Sequence, residues 1–116
     1  MYNFKDDKRR RHFSRTQKSI CKFFISVNET RWYEAELYDI SASGAKFFCS
    51  KLKLEKECFV KIDILSGMSE FTFKTKAEIK RVEGDNIYAV AFTELNKTSE
   101  IMLDEILNSN NKFFTE

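Results

Sequence analysis

The chain has 116 residues, of which 42% are hydrophobic and 15% aromatic, so it suits one domain with a real core. Its 20 basic and 18 acidic residues give a net charge of +2, which is not the strongly basic balance of a nucleic-acid-binding protein. No apolar run approaches the ~20 residues that cross a bilayer, and the first residues lack the apolar stretch of a secretory signal. We therefore expect a single domain without membrane insertion.

The positive charge is concentrated near the N-terminus. The stretch KRRRHFSR, residues 8–15, carries five cationic side chains. Without it the remainder holds 15 basic and 18 acidic residues, a net charge of −3. Residues 1–17 show no hydrophobic periodicity. We predict a flexible basic arm over residues 1–17 and a folded domain over residues 18–116.

The strands follow one another in chain order after this arm. Apolar and polar residues alternate with a period of two, as in antiparallel sheets with one wet face. Six such segments lie near residues 21–27, 31–40, 45–49, 58–65, 71–80 and 87–92. The turn signals NET, ASG, SGMS and EGDN separate most of them, and the last two segments read as a hairpin. The pattern predicts an all-β barrel or sandwich.

The period changes to a helical one near the C-terminus. The apolar residues there fall mainly on one face of a predicted helix: Ile101, Met102, Leu103, Ile106 and Leu107. The helix should run roughly over residues 98–108, with Asn96, Thr98 or Ser99 capping its start. We expect its apolar stripe to pack on its own domain; the alternative is a dimer or partner surface.

The residues that support catalysis are scarce. The one histidine, His12, lies in the basic run, and no cluster of Cys and His supplies metal ligands. Cys21, Cys49 and Cys58 are odd in number and lack C-x-x-C spacing, which favours reduced thiols of a cytoplasmic protein. The three glycines form no phosphate-binding loop. We therefore predict a binding protein and not an enzyme, without metal or cofactor.

Two short motifs carry binding chemistry. Arg11 and Arg15 are four residues apart, and arginine can bind phosphate through two parallel hydrogen bonds and stack on a base. Asp39 and Ser41 share a strand face, where an acid and a hydroxyl can accept hydrogen bonds from the edge of a guanine. Gly44 can adopt the positive φ that ends such a turn. Taken singly, a solvated tail and an ordinary Asx or Ser turn are simpler explanations.

Together the motifs resemble those of the PilZ domain family. R-x-x-x-R before the first strand and D-x-S-x-x-G at the end of the second are similar to the family's two signature motifs. The resemblance covers about residues 9–108 and includes YAVAFTEL, where Ala89 stands at a position that is often glycine in the family, outside both motifs. It implies a six-stranded antiparallel β-barrel with a C-terminal helix and a bacterial receptor for cyclic di-GMP.

The resemblance also implies a role for each motif residue. Arg11 and Arg15 would contact phosphate and guanine of cyclic di-GMP and fold the arm over the ligand. Asp39 and Ser41 would orient a base, and Gly44 would shape the turn. The arm would then change from disorder to order on binding.

Arg10 stands directly before the first motif. The resemblance implies that this position sets whether one ligand or a stacked pair binds. An arginine there resembles the residue of family members that bind a pair. Because a single domain of this size carries no output of its own, we expect the ordered arm to present a changed surface to a downstream effector protein.

Two other functions fit parts of the sequence. A nucleic-acid-binding β-barrel would combine the basic arm with stacking on Trp32, Tyr38 or Phe24. The net acidic body argues against nucleic acid as a partner. An adaptor of the same fold that binds no nucleotide is the second alternative, and the intact motifs argue against it.

Overall fold

The computed structural model describes residues 11–12 and 21–109, with only the backbone at Arg11, His12, Ser66 and Ser109. Most of the predicted arm, residues 1–17, therefore lies outside the described residues. Seven strands and one helix follow along the chain: β1 (Arg11–His12), β2 (Cys21–Ser26), β3 (Tyr33–Ser41), β4 (Gly44–Phe48), β5 (Glu57–Ser66), β6 (Ser69–Glu83), β7 (Ile87–Phe92) and α1 (Lys97–Ser109).

The six longer strands close into an antiparallel barrel. Their order is β3-β2-β5-β6-β7-β4, and β4 pairs with β3 to complete the circle. The short β1 pairs with residues 39–40 of β3. It lies on the edge of β3 opposite β4, further along the strand than the residues that pair with β2. The predicted six-stranded barrel with a C-terminal helix is confirmed, and the closure excludes a sandwich.

The interior is filled by the inward face of each strand, as the alternation predicts. Phe23 and Phe47 pack with their ring centroids 5.1 Å apart, and Phe47 and Tyr88 with theirs 5.8 Å apart. The Tyr88 hydroxyl accepts a hydrogen bond from the backbone N–H of Leu54 at 3.2 Å. This bond ties the connection between β4 and β5 to the core.

The end of β2 differs from the prediction. Alternation over residues 21–27 predicts Val27 on the same face as Cys21, Phe23 and Ile25, but it is 51% exposed because β2 stops one residue earlier. The hydroxyl of the buried Ser26 accepts hydrogen bonds from the N–H groups of Asn28 at 3.2 Å and Glu29 at 2.8 Å. These bonds turn the chain, so Val27 falls in the turn and outside the alternation.

The helix α1 uses a narrower apolar stripe than the sequence predicts. Leu103, Ile106 and Leu107 belong to the core, at the i, i+3, i+4 spacing of one helix face. Ile101 and Met102 were expected on the same face but are 49% and 41% exposed. They lie off that row, because one or two helical positions rotate a side chain away from it.

The start of α1 is capped as predicted. The side-chain oxygen of Asn96 accepts a hydrogen bond from the N–H of Ser99 at 2.7 Å. We expect Asn96→Ala to lower the free energy of unfolding by about 1 kcal/mol in urea denaturation, because an N–H group of the first turn loses its partner. Asn96→Ser is the matched control, since serine can also cap. Equal stability of the alanine and serine variants would show that the cap contributes nothing.

Candidate functional site

The candidate site begins at an irregularity in β3. Leu37 faces the core, but the register against β4 shifts by one residue between Leu37 and Asp39. Ile40 is therefore the next core residue, and its neighbours Asp39 and Ser41 turn to the outer face of the barrel. Unbroken alternation from Leu37 would direct both polar side chains into the apolar core.

The two predicted motifs meet at this end of β3. Arg11 lies opposite Ile40 in the pairing of β1 with β3. Cα atoms of such partners are within about 5.5 Å of each other. The start of the first motif, residues 11–12, therefore runs beside the residue that separates Asp39 from Ser41.

The other candidates in the arm lie outside the described residues. This holds for Arg10 and Arg15 and for the side chain of Arg11. Their contacts with a ligand stay predictions.

Asp39 and Ser41 are buried although they point away from the core, with 3% and 1% of their surface exposed. The Ser41 hydroxyl accepts a hydrogen bond from the N–H of Ser43 at 3.2 Å and lies 3.0 Å from the Ser43 hydroxyl. Ser41 therefore shapes the two-residue turn into β4. A carboxylate buried as deeply as Asp39 is costly unless donors surround it, so this place favours groups that donate hydrogen bonds.

Gly44 serves a different purpose from the one predicted. Positive φ angles occur at Gly67 and Gly84, both at 65°, whereas Gly44 opens β4 in ordinary strand conformation. A Cβ on Gly44 would overlap with the backbone carbonyl oxygen of Val90 in β7. The positive φ predicted for Gly44 was wrong; glycine is required because two strand backbones approach closely there.

Asp39 belongs to a row of residues that crosses the outer face of the barrel. Lys46 in β4 lies opposite Asp39, Ala89 in β7 lies opposite Lys46, and Arg81 in β6 lies opposite Ala89. Directly opposite residues of antiparallel strands share a face. The row spans three strand spacings, or about 14 Å.

A second irregularity brings the far end of this row to the outer face. The register of β6 against β7 shifts by one residue between Ile79 and Arg81. Ile79 packs against the core, so without the shift Arg81 would share its inward face. With the shift, Arg81 and Glu83 both join the face that carries Lys46.

Glu83 links the two cations of this surface. Its carboxylate lies 3.0 Å from the Lys46 ammonium and 2.9 Å from the Arg81 guanidinium. The hydrogen bond from Lys46, helped by the charges of Lys46 and Arg81, holds the pKa of Glu83 below its usual value. The carboxylate therefore stays ionised between its partners.

Lys46, Arg81 and Glu83 were not among the residues predicted from the sequence. A signal for them exists, because both irregularities leave a mark in the apolar spacing. The core residues Leu37 and Ile40 are three apart, not two, and so are the apolar residues Ile79 and Val82, of which Val82 is 48% exposed. A spacing of three inside a strand is typical of a bulge.

Ala89 also takes on a role that its sequence position does not suggest. It stands outside both motifs, yet it lies in the same row as Asp39 and is only 2% exposed. The methyl group that this chain carries there therefore points to the outer face between Lys46 and Arg81, where it is almost fully covered.

The cysteines lie in the core with free thiols. Burial, with a smaller contribution from the charge of Asp63, raises the pKa of Cys21 to about 12. Burial and then the neighbouring Cys49 and Glu57 raise the pKa of Cys58 to about 12. Thiols in this state are poor nucleophiles.

Within residues 11–12 and 21–109, no group of three His, Cys, Asp or Glu side chains could hold a metal ion. Among the same residues, no helix has the length and apolar character needed to cross a membrane.

The opposite side of the barrel carries lysines over aromatic rings. The ammonium of Lys61 in β5 lies 5.0 Å from the ring centroid of Phe24 and 5.3 Å from that of Trp32. Lys76 lies 5.8 Å from the ring centroid of Phe59. These aromatic side chains are half-buried under cations, so less of their ring surface is available for stacking than the sequence suggests.

Several solved structures share this fold. An uncharacterized Legionella protein, Lpg0364, aligns with a TM-score of 0.62 and 21% identity, over 89% of this chain and 94% of the other. The PilZ domain of YcgR from Escherichia coli with c-di-GMP aligns with a TM-score of 0.58 and 18% identity, over 89% and 88%. The Bacillus subtilis inhibitor of motility MotI/DgrA aligns with a TM-score of 0.68 and 13% identity, over 84% of this chain and about half (49%) of the other.

Sequence comparison extends the likeness from the fold to the family. No curated protein sequence matches the chain. The sequence model of the PilZ domain matches residues 9–109, which is most of the chain and includes both motifs. The chain therefore belongs to the PilZ domain family.

Proposed function

We propose that this chain is a receptor for cyclic di-GMP, which binds on the outer face of the barrel where β1 meets the end of β3. The observation that carries the proposal is the pairing of Arg11 with Ile40, which sets the start of the R-x-x-x-R motif beside Asp39 and Ser41. Membership of the PilZ family supports it, because the fold is that of a cyclic di-GMP receptor. The PilZ domain of YcgR has been solved with this ligand.

The arginines of the arm act as the clamp. A guanidinium can form two parallel hydrogen bonds with a phosphate and can also stack on a base. Arg11 and Arg15 take these roles, and Arg10 sets whether one ligand or a stacked pair is held. Because the ligand carries two phosphate charges, the local positive charge of the arm also raises the rate of encounter.

Asp39 reads the base. Guanine offers an N1–H and an amino group on one edge, and a carboxylate is an acceptor-only group that suits them. The buried position of Asp39 strengthens this discrimination, since a hydrogen bond to a carboxylate is stronger away from water. Ser41 holds the turn beside it.

We expect Asp39→Asn to reduce the preference for cyclic di-GMP over cyclic di-AMP by about tenfold, because the amide places a donor where guanine also donates. Binding of both ligands is measured by titration calorimetry for the wild type and the variant. Ser43→Ala is the control, since it alters the same turn without touching the acceptor. A variant that prefers cyclic di-GMP as strongly as the wild type would remove the base-reading role from Asp39.

The output of the receptor is a changed surface. Ordering the arm over the barrel consumes part of the binding energy and creates a face that the empty protein lacks. A downstream effector protein reads this face. The fold is shared by MotI/DgrA, an inhibitor of motility from Bacillus subtilis.

A thermal-shift titration tests the proposal. A ligand that binds only the folded state stabilises it by about 2.7 kcal/mol at 100 times its Kd. Cyclic di-GMP should therefore raise the melting temperature in a concentration-dependent way, and cyclic di-AMP should raise it far less. A melting temperature that does not respond to cyclic di-GMP would overturn the proposed receptor function.

A nucleic-acid-binding barrel is the second candidate, because Lys61 places a cation beside Phe24 and Trp32, whose half-buried side chains still keep part of their surface exposed. It predicts retardation of single-stranded oligonucleotides in a gel, with strong sensitivity to salt. Retardation at moderate salt without a response to cyclic di-GMP would favour it over the receptor. An adaptor that binds no nucleotide would respond to neither.

A further inference from the structure

We infer that Lys46 and Arg81, joined by Glu83, form a cationic rim that contacts a phosphate of the cyclic di-GMP bound beside Asp39. This inference rests on the proposed receptor function and adds a second binding element on β4 and β6, outside both signature motifs. The rim continues the row that begins at Asp39, through Lys46 and past Ala89 to Arg81.

The first support is the convergence of two bulges on one surface. Each of β3 and β6 shifts its register by one residue, and each shift turns charged side chains from the core side to the outer face. Bulges are over-represented beside binding and active sites, where they re-aim a side chain. The bulge in β3 presents Asp39, and the bulge in β6 presents Arg81 and Glu83 to the same face.

The second support is the shape of the surface between these charges. The next row along the same face joins Ser41, Gly44 and Ala91, which are all small residues, before it reaches Glu78 of β6. Together with Ala89 they keep bulky side chains off this part of the outer face, although Ser41 and Ala89 themselves are only 1% and 2% exposed. A ligand of two nucleotides is large enough to extend from Asp39 across such a surface toward the rim.

The third support is electrostatic. Asp39 would repel a ligand that carries two phosphate charges, so further cations next to it, beyond the arginines of the arm, favour binding. Lys46 is its direct cross-strand neighbour, and Glu83 holds Lys46 and Arg81 in place through ion pairs of 3.0 and 2.9 Å. The side chains of Lys46 and Arg81 are 26% and 45% exposed, so a ligand can reach them.

Stability does not account for this arrangement. Exposed and half-exposed ion pairs contribute little to folding, because water screens them and the long side chains lose freedom. If the rim serves binding, its removal should therefore lower the affinity for the ligand and leave the ligand-free protein nearly as stable as before. That combination separates a binding role from a structural one.

The test is titration calorimetry of the full chain with cyclic di-GMP. We expect Lys46→Gln and Arg81→Gln each to weaken binding about threefold to tenfold, since each removes one partly exposed cation near a phosphate. Lys46→Arg keeps the charge and should retain the wild-type affinity. Lys74→Gln is the matched control, because Lys74 is an exposed lysine of β6 whose partner in the sheet is Lys61, on the other side of the barrel. It should stay within about twofold of the wild type.

The salt dependence gives a second readout. Affinity should fall less steeply with added salt in Lys46→Gln than in the wild type, whereas Lys74→Gln should keep the wild-type dependence. If both rim variants kept the wild-type affinity and salt dependence, the binding role of the rim would be wrong, but the proposed receptor function would not be affected. A wild-type chain that gives no binding heat with cyclic di-GMP would overturn the receptor function, and the rim with it.

Discussion

Arg11→Ala is expected to weaken cyclic di-GMP binding by about tenfold to 150-fold, and Arg15→Ala by a similar factor. A hydrogen bond to a charged group contributes roughly 1.5–3 kcal/mol, and each arginine is proposed to make such bonds to phosphate. The pairing of Arg11 with Ile40 places the start of this motif one strand away from Asp39 and Ser41. Titration calorimetry with the purified chain measures the effect.

Arg31→Ala is the matched control for the two arginine variants. It removes the same side chain from an exposed turn between β2 and β3, away from the end of β3 that carries the motif. The control should bind like the wild type, because charge alone at a distance is screened. Affinity near the wild-type value in both Arg11→Ala and Arg15→Ala would contradict the clamp.

Gly44→Ala is expected to lower the free energy of unfolding by about 3 kcal/mol even without ligand. The new Cβ would overlap with the carbonyl oxygen of Val90, which is backbone and cannot move aside without parting β4 from β7. The same movement would displace Ser41 and Lys46, so binding of cyclic di-GMP should weaken as well. Urea denaturation of the ligand-free chain measures the stability.

Gly84→Ala is the control that measures the cost of backbone conformation without close packing. Gly84 has a φ of 65° and no atom within 4 Å of an added Cβ, so alanine there costs only the strain of the left-handed conformation, about 1 kcal/mol. The loss at Gly44 should therefore be clearly larger. Equal losses in the two variants would contradict the close approach of β4 and β7 as the reason for glycine.

The barrel could be predicted from the sequence because its strands obey one simple rule. The inward residues of β5 and of most of β6 alternate without interruption, and the turns between strands carry glycine or polar signals. The start of the helix could be predicted as well, because the Asn96 side chain accepts a hydrogen bond from the N–H of Ser99, only three residues away. These features depend on near neighbours in the chain, which the sequence displays directly.

The outer-face site was only partly predictable. The spacing of Asp39 and Ser41 places them together, but whether they face in or out depends on the bulge in β3, which involves the pairing with β4. The reason for Gly44 and the position of Ala89 depend on contacts between strands that are far apart in sequence. Such contacts leave at most an indirect mark, such as the three-residue apolar spacing from Leu37 to Ile40.

The residues of the rim lie outside both sequence motifs, so the motifs could not predict them. Lys46 in β4 precedes Arg81 and Glu83 in β6 by more than thirty residues, so nothing in its local sequence joins it to them. Only the closed order of the barrel, with β7 between β4 and β6, brings their side chains to one face. Closure of the barrel therefore decides which charges surround Asp39.

The most direct test of the binding face is an amide chemical-shift map of the isotope-labelled chain titrated with cyclic di-GMP. We predict shifts at residues 11–15 and 39–44, extending to Lys46 and Ala89, with little change at Lys61 and Lys74 on the other side of the barrel. Shifts confined to the surface around Lys61, or no shifts at a saturating concentration, would contradict binding where β1 meets β3.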